Sequence, residues 1–188
     1  MKLLGISGSL RRGSLNSAVL RAAVELAPAT VVVESFDLLP IPLYNGDVEA
    51  AGLPAAVVAF REEIAAADAL LIVTPEYNAG IPGVLKNAID WASRGADQPF
   101  DGKPIAIVTA SPGRLGGARC QLQLRQCFVP LNGRVMVQPE LMVAGANRLI
   151  DAAGRLIDED TRARLHRVIE ALVAWTRTLN PEAGGSGR

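Results

Sequence analysis

The sequence predicts an α/β fold in which a parallel β-sheet is covered by helices on both faces. Five short apolar segments alternate along the chain with segments of helical periodicity. The apolar segments are continuous rather than interrupted by alternating polar residues, which is typical of parallel strands buried on both faces. Repeated strand–helix alternation predicts right-handed crossovers, and therefore a sandwich of three layers.

The predicted strands are rich in β-branched residues. Three consecutive valines mark the second strand, and the third and fourth strands contain ALLIVT and PIAIVT. In chain order, the five predicted strands are Lys2–Ile6, Thr30–Ser35, Ala69–Thr74, Pro104–Thr109 and Gly133–Val137.

Helices are predicted between these strands and after the last one. They cover Asn16–Leu26, Pro54–Ala66, Pro82–Arg94, Gly116–Val129 and Asp160–Leu179. For such a three-layer sandwich with a five-stranded parallel sheet, we expect the strand order 2-1-3-4-5, which is the flavodoxin-like arrangement. A ligand is then expected beyond the carboxyl ends of strands 1, 3 and 4, so the loops after these strands are the informative ones.

Length and composition predict one domain, residues 1–179, followed by a disordered tail, residues 180–188. The 188 residues suffice for one buried core, and the tail is rich in glycine and has no apolar face. No apolar run approaches the roughly 20 residues that span a bilayer, and the first apolar stretch is too short for a signal peptide. We therefore expect a cytoplasmic protein. The 19 acidic and 19 basic residues balance, and the basic ones are scattered, which argues against nucleic-acid binding.

The loop after the first strand, SGSLRRGSLN over residues 7–16, is rich in groups that bind anions. Its hydroxyl, amide and guanidinium groups belong to Ser7, Ser9, Arg11, Arg12, Ser14 and Asn16. A helix begins directly afterwards, and the N–H groups and positive dipole end of a helix start favour a terminal phosphate. Neither a dinucleotide fingerprint nor a triphosphate-binding loop occurs. Taken singly, Ser14 or Asn16 could serve only as a helix cap.

The loop after the third strand, PEYNAGIPG over residues 75–83, combines an aromatic residue, an amide, prolines and glycines. Tyr77 can cover an aromatic ring, and Asn78 can donate and accept hydrogen bonds. Gly80 and Gly83 allow the backbone to approach a flat ligand. The loop therefore indicates a slot for an aromatic group.

Glycines dominate the loop after the fourth strand, ASPGRLGGA over residues 110–118. Gly113, Gly116 and Gly117 are expected to leave backbone N–H groups unshielded, where these groups can hydrogen-bond the pyrimidine edge of a flavin. Glycine-rich turns are common, so this loop alone is a weak signal. Together, the three loops describe a phosphate pocket, an aromatic slot and a donor-lined edge, a combination that fits FMN.

No catalytic side chain and no metal ligand set is predicted. Cys120 and Cys127 lie in one predicted helix, about 10 Å apart along its axis, which is too far for a disulfide. We expect both to pack as small apolar residues, with a redox pair or metal site as the alternative. His166, the one histidine, is expected to be solvated or hydrogen-bonded at the surface.

Three segments carry a resemblance to a known family: GSLRRGSLN, TPEYNAGIPGVLKNAIDWASR and GGARCQLQLRQ. From Lys2 to about Leu179, the sequence resembles the NADPH-dependent FMN reductase family, and within it the bacterial chromate/quinone reductases. The resemblance implies non-covalently bound FMN, NADPH or NADH as co-substrate, and a homodimer or homotetramer with the flavin near a subunit boundary. It places FMN contacts at Ser9, Leu10, Arg11, Arg12, Gly13, Ser14, Leu15, Asn16, Pro75, Glu76, Tyr77, Asn78 and Ser111, with the nearby glycines Gly113, Gly116 and Gly117 on the remaining edge.

The chain departs from the family pattern at two places. Ala79 and Gly80 replace the bulkier or hydroxylated residues that often follow PEYN, which is expected to open the substrate side of the flavin. Leu122 stands where some relatives have a tyrosine, which puts a relative-like tetramer contact in doubt.

The resemblance also implies a ping-pong mechanism. Reduced nicotinamide gives a hydride to flavin N5 and leaves, and a quinone, chromate or similar small oxidant then takes the same place. Arg114 and Arg94 are candidates for steering the nucleotide phosphate, although either can be an ordinary surface arginine. The main alternative is a flavodoxin-type electron carrier, but such carriers are usually strongly acidic, whereas this chain is neutral. A regulatory or scaffolding relative without FMN is a further alternative.

Overall fold

The structure, a computed structural model, describes residues 1–182. Within this range, six strands form one sheet, and helices cover both of its faces. In chain order the elements are β1 (Lys2–Ser7), α1 (Leu15–Leu26), β2 (Val32–Phe36), α2 (Gly46–Ala51), α3 (Ala55–Ala66), β3 (Ala69–Thr74), α4 (Gly83–Ala92), β4 (Pro104–Ser111), α5 (Ala118–Phe128), β5 (Arg134–Val135), β6 (Leu141–Ala144), a 3-10 turn (Ala146–Arg148) and α6 (Glu159–Leu179).

The strand order β2-β1-β3-β4-β5 confirms the predicted flavodoxin-like arrangement. All neighbouring strands in this sheet pair in parallel. The register aligns Ile6 with Ile72 and Ile72 with Ile107, so that one face of the central strands is a row of isoleucines. Every residue of β3 is buried, which explains why ALLIVT shows no polar alternation.

Two hydrophobic cores flank the sheet. On one face, α1 and α6 contribute side chains such as Val19 and Ile169. On the other face, α3, α4 and α5 contribute large aromatic residues, including the fully buried Phe60 and Trp91. Burial of each such side chain stabilises the fold by about 1.5–3 kcal/mol. The layers are thereby held rigidly enough to position the loops at the carboxyl edge of the sheet.

The fifth predicted strand, Gly133–Val137, is wrong in extent. β5 contains only Arg134–Val135 and pairs with the first two residues of β4, whereas β6 takes over the pairing further along β4. Pro139 lies between the two short strands, and a proline has no N–H to continue a ladder. Because β6 pairs with Ala110 and Ser111, β4 extends two residues beyond the predicted end.

The remaining differences are at element boundaries. β2 begins at Val32 instead of Thr30, and the short helix α2 was not predicted. The domain limit at residue 179 stays a prediction, and of the predicted tail, residues 183–188 lie outside the described residues. Among the helices of residues 1–182, none combines the length and the hydropathy that a membrane span needs.

Candidate functional site

The loops after β1, β3 and β4 meet at the carboxyl edge of the sheet. A cleft of about 240 Å³ lies between them. Nine of the predicted site residues line it, namely Ser9, Arg11, Ser14, Leu15, Asn16, Pro75, Glu76, Tyr77 and Ser111. Ala110 and Pro112, which were not predicted, complete the lining. Leu10, Arg12, Gly13, Asn78, Gly113, Gly116 and Gly117 do not line this cleft, so the structure brings together only part of the predicted set.

The start of α1 presents free donors to the cleft. Ser14 caps the helix, because its Oγ accepts a hydrogen bond from Ser17 N at 3.2 Å. The backbone N–H groups of Leu15 and Asn16 have no backbone acceptor within residues 1–182. Free N–H groups at a helix start favour an anion.

Two arginines add positive charge to this loop. Arg11 and Arg12 are exposed, and neither forms an ion pair within the part of the chain that the structure describes. Their guanidinium groups are therefore available to a ligand. Planar guanidinium groups suit the oxygens of a phosphate.

The side chain of Asn16 is engaged within the protein. Its side chain is buried, with 3% of its surface exposed. The side-chain Nδ2 donates to Ala110 O at 3.0 Å, and Oδ1 accepts from Ala110 N at 2.9 Å. Both polar groups of the side chain take part in this pair of bonds, so the side chain links the start of α1 to β4, and the backbone N–H lies free at the cleft.

The first and second loops are in close contact at Gly8. A Cβ at this position would lie 2.1 Å from Thr74 Oγ1 and 3.2 Å from Thr74 Cα, so a side chain has no room. The backbone N–H of Gly8 donates to Val73 O at 2.9 Å. A glycine at this position therefore lets the loop after β1 lie close to the end of β3.

The second loop ends in a tight two-residue turn. Tyr77 and Gly80 form an isolated antiparallel bridge, and Asn78 and Ala79 between them have φ angles of 50° and 61°. Left-handed geometry at both central positions is typical of a type I′ turn. The turn holds Tyr77 with 53% of its surface exposed at the cleft, whereas Asn78 lies at the tip of the turn.

Glu76 joins the second loop to the start of α5. Its Oε2 accepts a hydrogen bond from Cys120 N at 3.0 Å, and its Oε1 lies 3.7 Å from Arg119 Nη1. A carboxylate at this position compensates the positive dipole end of the helix. The carboxylate is thus engaged with α5.

Burial raises the pKa of both cysteine thiols, which disfavours the reactive thiolate form. Burial, with a smaller contribution from the Glu76 carboxylate, raises the pKa of the Cys120 thiol to about 12. The thiol is therefore protonated at neutral pH and is a poor nucleophile. Cys127 is also a free thiol, and no metal-binding group of His, Cys, Asp and Glu occurs among residues 1–182. Their separation along one helix matches the expectation that the two cysteines do not pair.

The three glycines of the third loop do not present free N–H groups as a set, which corrects the sequence-based expectation. Gly113 N donates to Ser111 Oγ at 3.1 Å, and Gly116 N donates to Gly113 O at 3.3 Å. Gly116 and Gly117 are buried, with φ angles of 59° and 93°. A Cβ at Gly117 would lie 2.7 Å from the side chain of Thr109, so this glycine permits close packing on β4.

The remaining polar candidates lie outside the cleft. His166 Nδ1 is 3.0 Å from Leu26 O and its Nε2 is 3.4 Å from Glu170, which confirms a hydrogen-bonded surface histidine. Arg94 bonds to Asp90 O and Ser93 Oγ through its own guanidinium group. Arg94 is thus engaged locally, whereas Arg114 is exposed.

Comparison with known proteins identifies the family. The sequence model of NADPH-dependent FMN reductases matches residues 1–148. This protein belongs to the NADPH-dependent FMN reductase family. Membership confirms the resemblance and the predictions of an oxidoreductase, of FMN and of a nicotinamide nucleotide as co-substrate.

Relatives of this FMN reductase align over most of its length. It is 54% identical to an NAD(P)H-dependent FMN reductase of Pseudomonas aeruginosa, covering 95% of this chain and 97% of the relative. It is 47% identical to a quinone reductase of Escherichia coli, covering 86% and 87%. The solved structure of FerB, a flavoenzyme NAD(P)H:(acceptor) oxidoreductase from Paracoccus denitrificans, superposes with a TM-score of 0.85 at 33% identity and covers 94% of this chain and 97% of its own.

The residues of the reductase fit FMN. Free N–H groups at the start of α1 and two arginines without ion pairs match a dianionic phosphate. A half-exposed tyrosine on a rigid turn, Tyr77, matches a flat aromatic ring beside it. The individual FMN contacts of these residues stay a prediction.

Proposed function

We propose that this FMN reductase reduces quinones, chromate and similar small oxidants at the expense of NADPH or NADH. The proposal rests on one observation: free backbone N–H groups at the start of α1 and the exposed Tyr77 on its turn meet at the same edge of the sheet. The relatives named as quinone reductases support quinones as the first class to test. When bound, FMN supplies the two-electron redox chemistry.

In this proposal, the residues of the cleft bind and orient. The backbone N–H groups of Leu15 and Asn16, with Ser9, Arg11 and Arg12 around them, would hold the phosphate. Pro75, Glu76 and Tyr77 flank the flavin through backbone and ring. Ser111, which also lines the cleft, would face the remaining edge of the flavin. No side chain acts as acid, base or nucleophile.

A ping-pong order follows from an open cleft that serves both substrates. Ala79 at the turn is small, which leaves room beside Tyr77 for a nicotinamide and then for a quinone. Because both need the same place, the first product leaves before the second substrate binds. Arg114, which is exposed, remains the candidate for steering the nucleotide phosphate.

A homodimer or homotetramer is part of the proposal. The cleft of about 240 Å³ is smaller than the roughly 300–1,000 Å³ of most sites for small molecules. Large apolar side chains are exposed in the second and third loops and on α5, namely Tyr77, Leu115 and Leu122. A second subunit over this region would bury these side chains and enclose the ligand. Light scattering after size-exclusion chromatography measures the assembly. The predicted cytoplasmic location stays a prediction.

Steady-state kinetics of the FMN-loaded protein test the function. We expect oxidation of NADPH or NADH with benzoquinone or chromate as acceptor, and parallel lines in double-reciprocal plots at several quinone concentrations. Intersecting lines contradict the ping-pong order. If the pure protein binds FMN but oxidises neither nucleotide with any acceptor, the electron-carrier alternative is correct and the proposed enzyme activity is wrong.

A further inference from the structure

A second cavity lies beside the proposed FMN site. It measures about 370 Å³ and lies between α1, the end of β1 and the end of β2. Ser9 lines both this cavity and the cleft described above, so the two spaces adjoin at the loop after β1. Its volume falls within the range of sites for small molecules, about 300–1,000 Å³. No residue of the second and third loops lines it, and of the residues expected to contact FMN only Ser9 and Leu10 do.

We propose that this cavity binds the adenosine of FAD, so that the protein accepts FAD as well as FMN. The proposal rests on the proposed FMN site, because FAD is FMN extended at its phosphate by adenosine monophosphate. Because Ser9 lines both the cleft and the cavity, a group attached to the phosphate can extend from one into the other.

The position of Asp37 is the first chemical argument. Asp37 follows directly after β2 and lines the cavity. In dinucleotide-binding folds, an acidic residue after the second strand accepts hydrogen bonds from ribose hydroxyls. Asp37 Oδ1 accepts from Leu39 N at 2.9 Å, which orients the carboxylate, and Oδ2 makes no hydrogen bond within residues 1–182. One carboxylate oxygen therefore remains for a ribose.

The walls suit a nucleoside. Leu20 and Val24 of α1 supply apolar surface for an adenine ring. Ser7 and Ser17 supply hydroxyls, whose oxygens are 2.8 Å apart, at the end nearest the loop. Arg21 on the wall balances the charge of Asp37, and its Nη2 is held by Gly154 O at 3.0 Å. A lining with one positive and one negative group favours an uncharged nucleoside over a further phosphate.

The test compares FAD with FMN on the full chain after removal of bound flavin. Flavin fluorescence titrations give both dissociation constants. We expect FAD to bind within about tenfold of FMN, because the additional contacts offset the ordering of a longer ligand. An FMN affinity in the normal micromolar range or better, together with FAD binding more than a hundredfold weaker, would overturn the proposal and leave the proposed function intact.

Two variants locate the adenosine. Val24→Trp fills the cavity from a helix position that is 46% exposed, and we expect it to weaken FAD at least about tenfold and FMN less than about twofold. Val58→Trp, at a 38% exposed position of α3, is the matched control and should change neither affinity. Equal FAD affinity in Val24→Trp and the unmodified protein would place the adenosine elsewhere and overturn the proposal.

Asp37→Asn provides a test that does not add bulk. The amide oxygen still accepts from Leu39 N, but the second carboxylate oxygen is replaced by a donor. We expect FAD to bind about fivefold more weakly and FMN to be unaffected. Loss of FMN and FAD binding by the same factor in this variant would contradict a contact made only with the adenosine. Failure of the unmodified protein to bind FMN at all would instead refute the proposed function.

Discussion

Replacement of Asn16 by alanine tests whether this side chain supports the fold or binds the phosphate of FMN. The substitution leaves the N–H and the C=O of Ala110 without partners, and Ala110 is 1% exposed. An unsatisfied buried polar group costs about 1–3 kcal/mol, so the two together lower the free energy of unfolding by about 2–6 kcal/mol. The backbone N–H of Asn16 is retained in the variant. Any direct contact of this N–H with a phosphate is therefore unchanged.

The assay is a urea unfolding curve of the flavin-free protein, followed by titration with FMN and with riboflavin. A side chain that links α1 to β4 positions the whole site. We therefore expect the affinities for FMN and riboflavin to fall by the same factor, and unfolding to occur at a lower urea concentration. Arg11→Ala is the control: we expect a loss of FMN affinity alone, with the free energy of unfolding within about 0.5 kcal/mol of the original. If Asn16→Ala unfolds at the original urea concentration and loses only FMN affinity, the side chain is a phosphate ligand and the reasoning fails.

Three further perturbations follow from the same region. Gly8→Ala forces a methyl group to within 2.1 Å of Thr74 Oγ1, and we expect a loss of about 1–3 kcal/mol of unfolding free energy and weaker FMN binding, measured by urea unfolding and fluorescence titration. Ala79→Gly removes the steric strain of an alanine with a φ of 61° and should raise the free energy of unfolding by up to about 1 kcal/mol, measured as a higher thermal midpoint. A lower midpoint would contradict strain in this turn. For Cys120 the folded-state pKa is raised, so stability is complete below the unfolded-state pKa near 9 and falls as pH rises towards about 12. We expect about 1.4 kcal/mol to be lost by pH 10, and Cys120→Ala should lose that portion of the pH dependence in unfolding curves measured from pH 7 to pH 10.

The fold was predictable because its signals are local. The continuous apolar run Ala69–Thr74 lies at the centre of the sheet, and its predicted bounds are correct to the residue. The larger errors are near the edge of the sheet, where pairing depends on residues far along the chain. β4 extends to Ser111 because β6 pairs with it, and the sequence around Ser111 carries no sign of that partner.

The sequence was enough to predict which loops form the site, but not which hydrogen bonds the individual residues of these loops make. Donors at a helix start are visible in the order of residues, and the structure places them at the cleft. Asn16 bonds to a residue 94 positions away, and Glu76 bonds to one 44 positions away. The sequence does not show these bonds, because the partners come together only when the strands are assembled. Gly117 looks like a donor for the same reason, although its packing on Thr109 requires it.

The division of the outer strand into β5 and β6 also bears on self-association. An uninterrupted edge strand offers a ladder of unpaired backbone groups on which another molecule can add a strand and begin aggregation. Here the edge offers two residues, then a break that contains Pro139, then four residues. With a formal net charge of zero at pH 7, the chain has little electrostatic repulsion to keep copies apart. The broken edge therefore offers no long ladder for strand addition on this side of the sheet, whereas β2 forms the opposite edge.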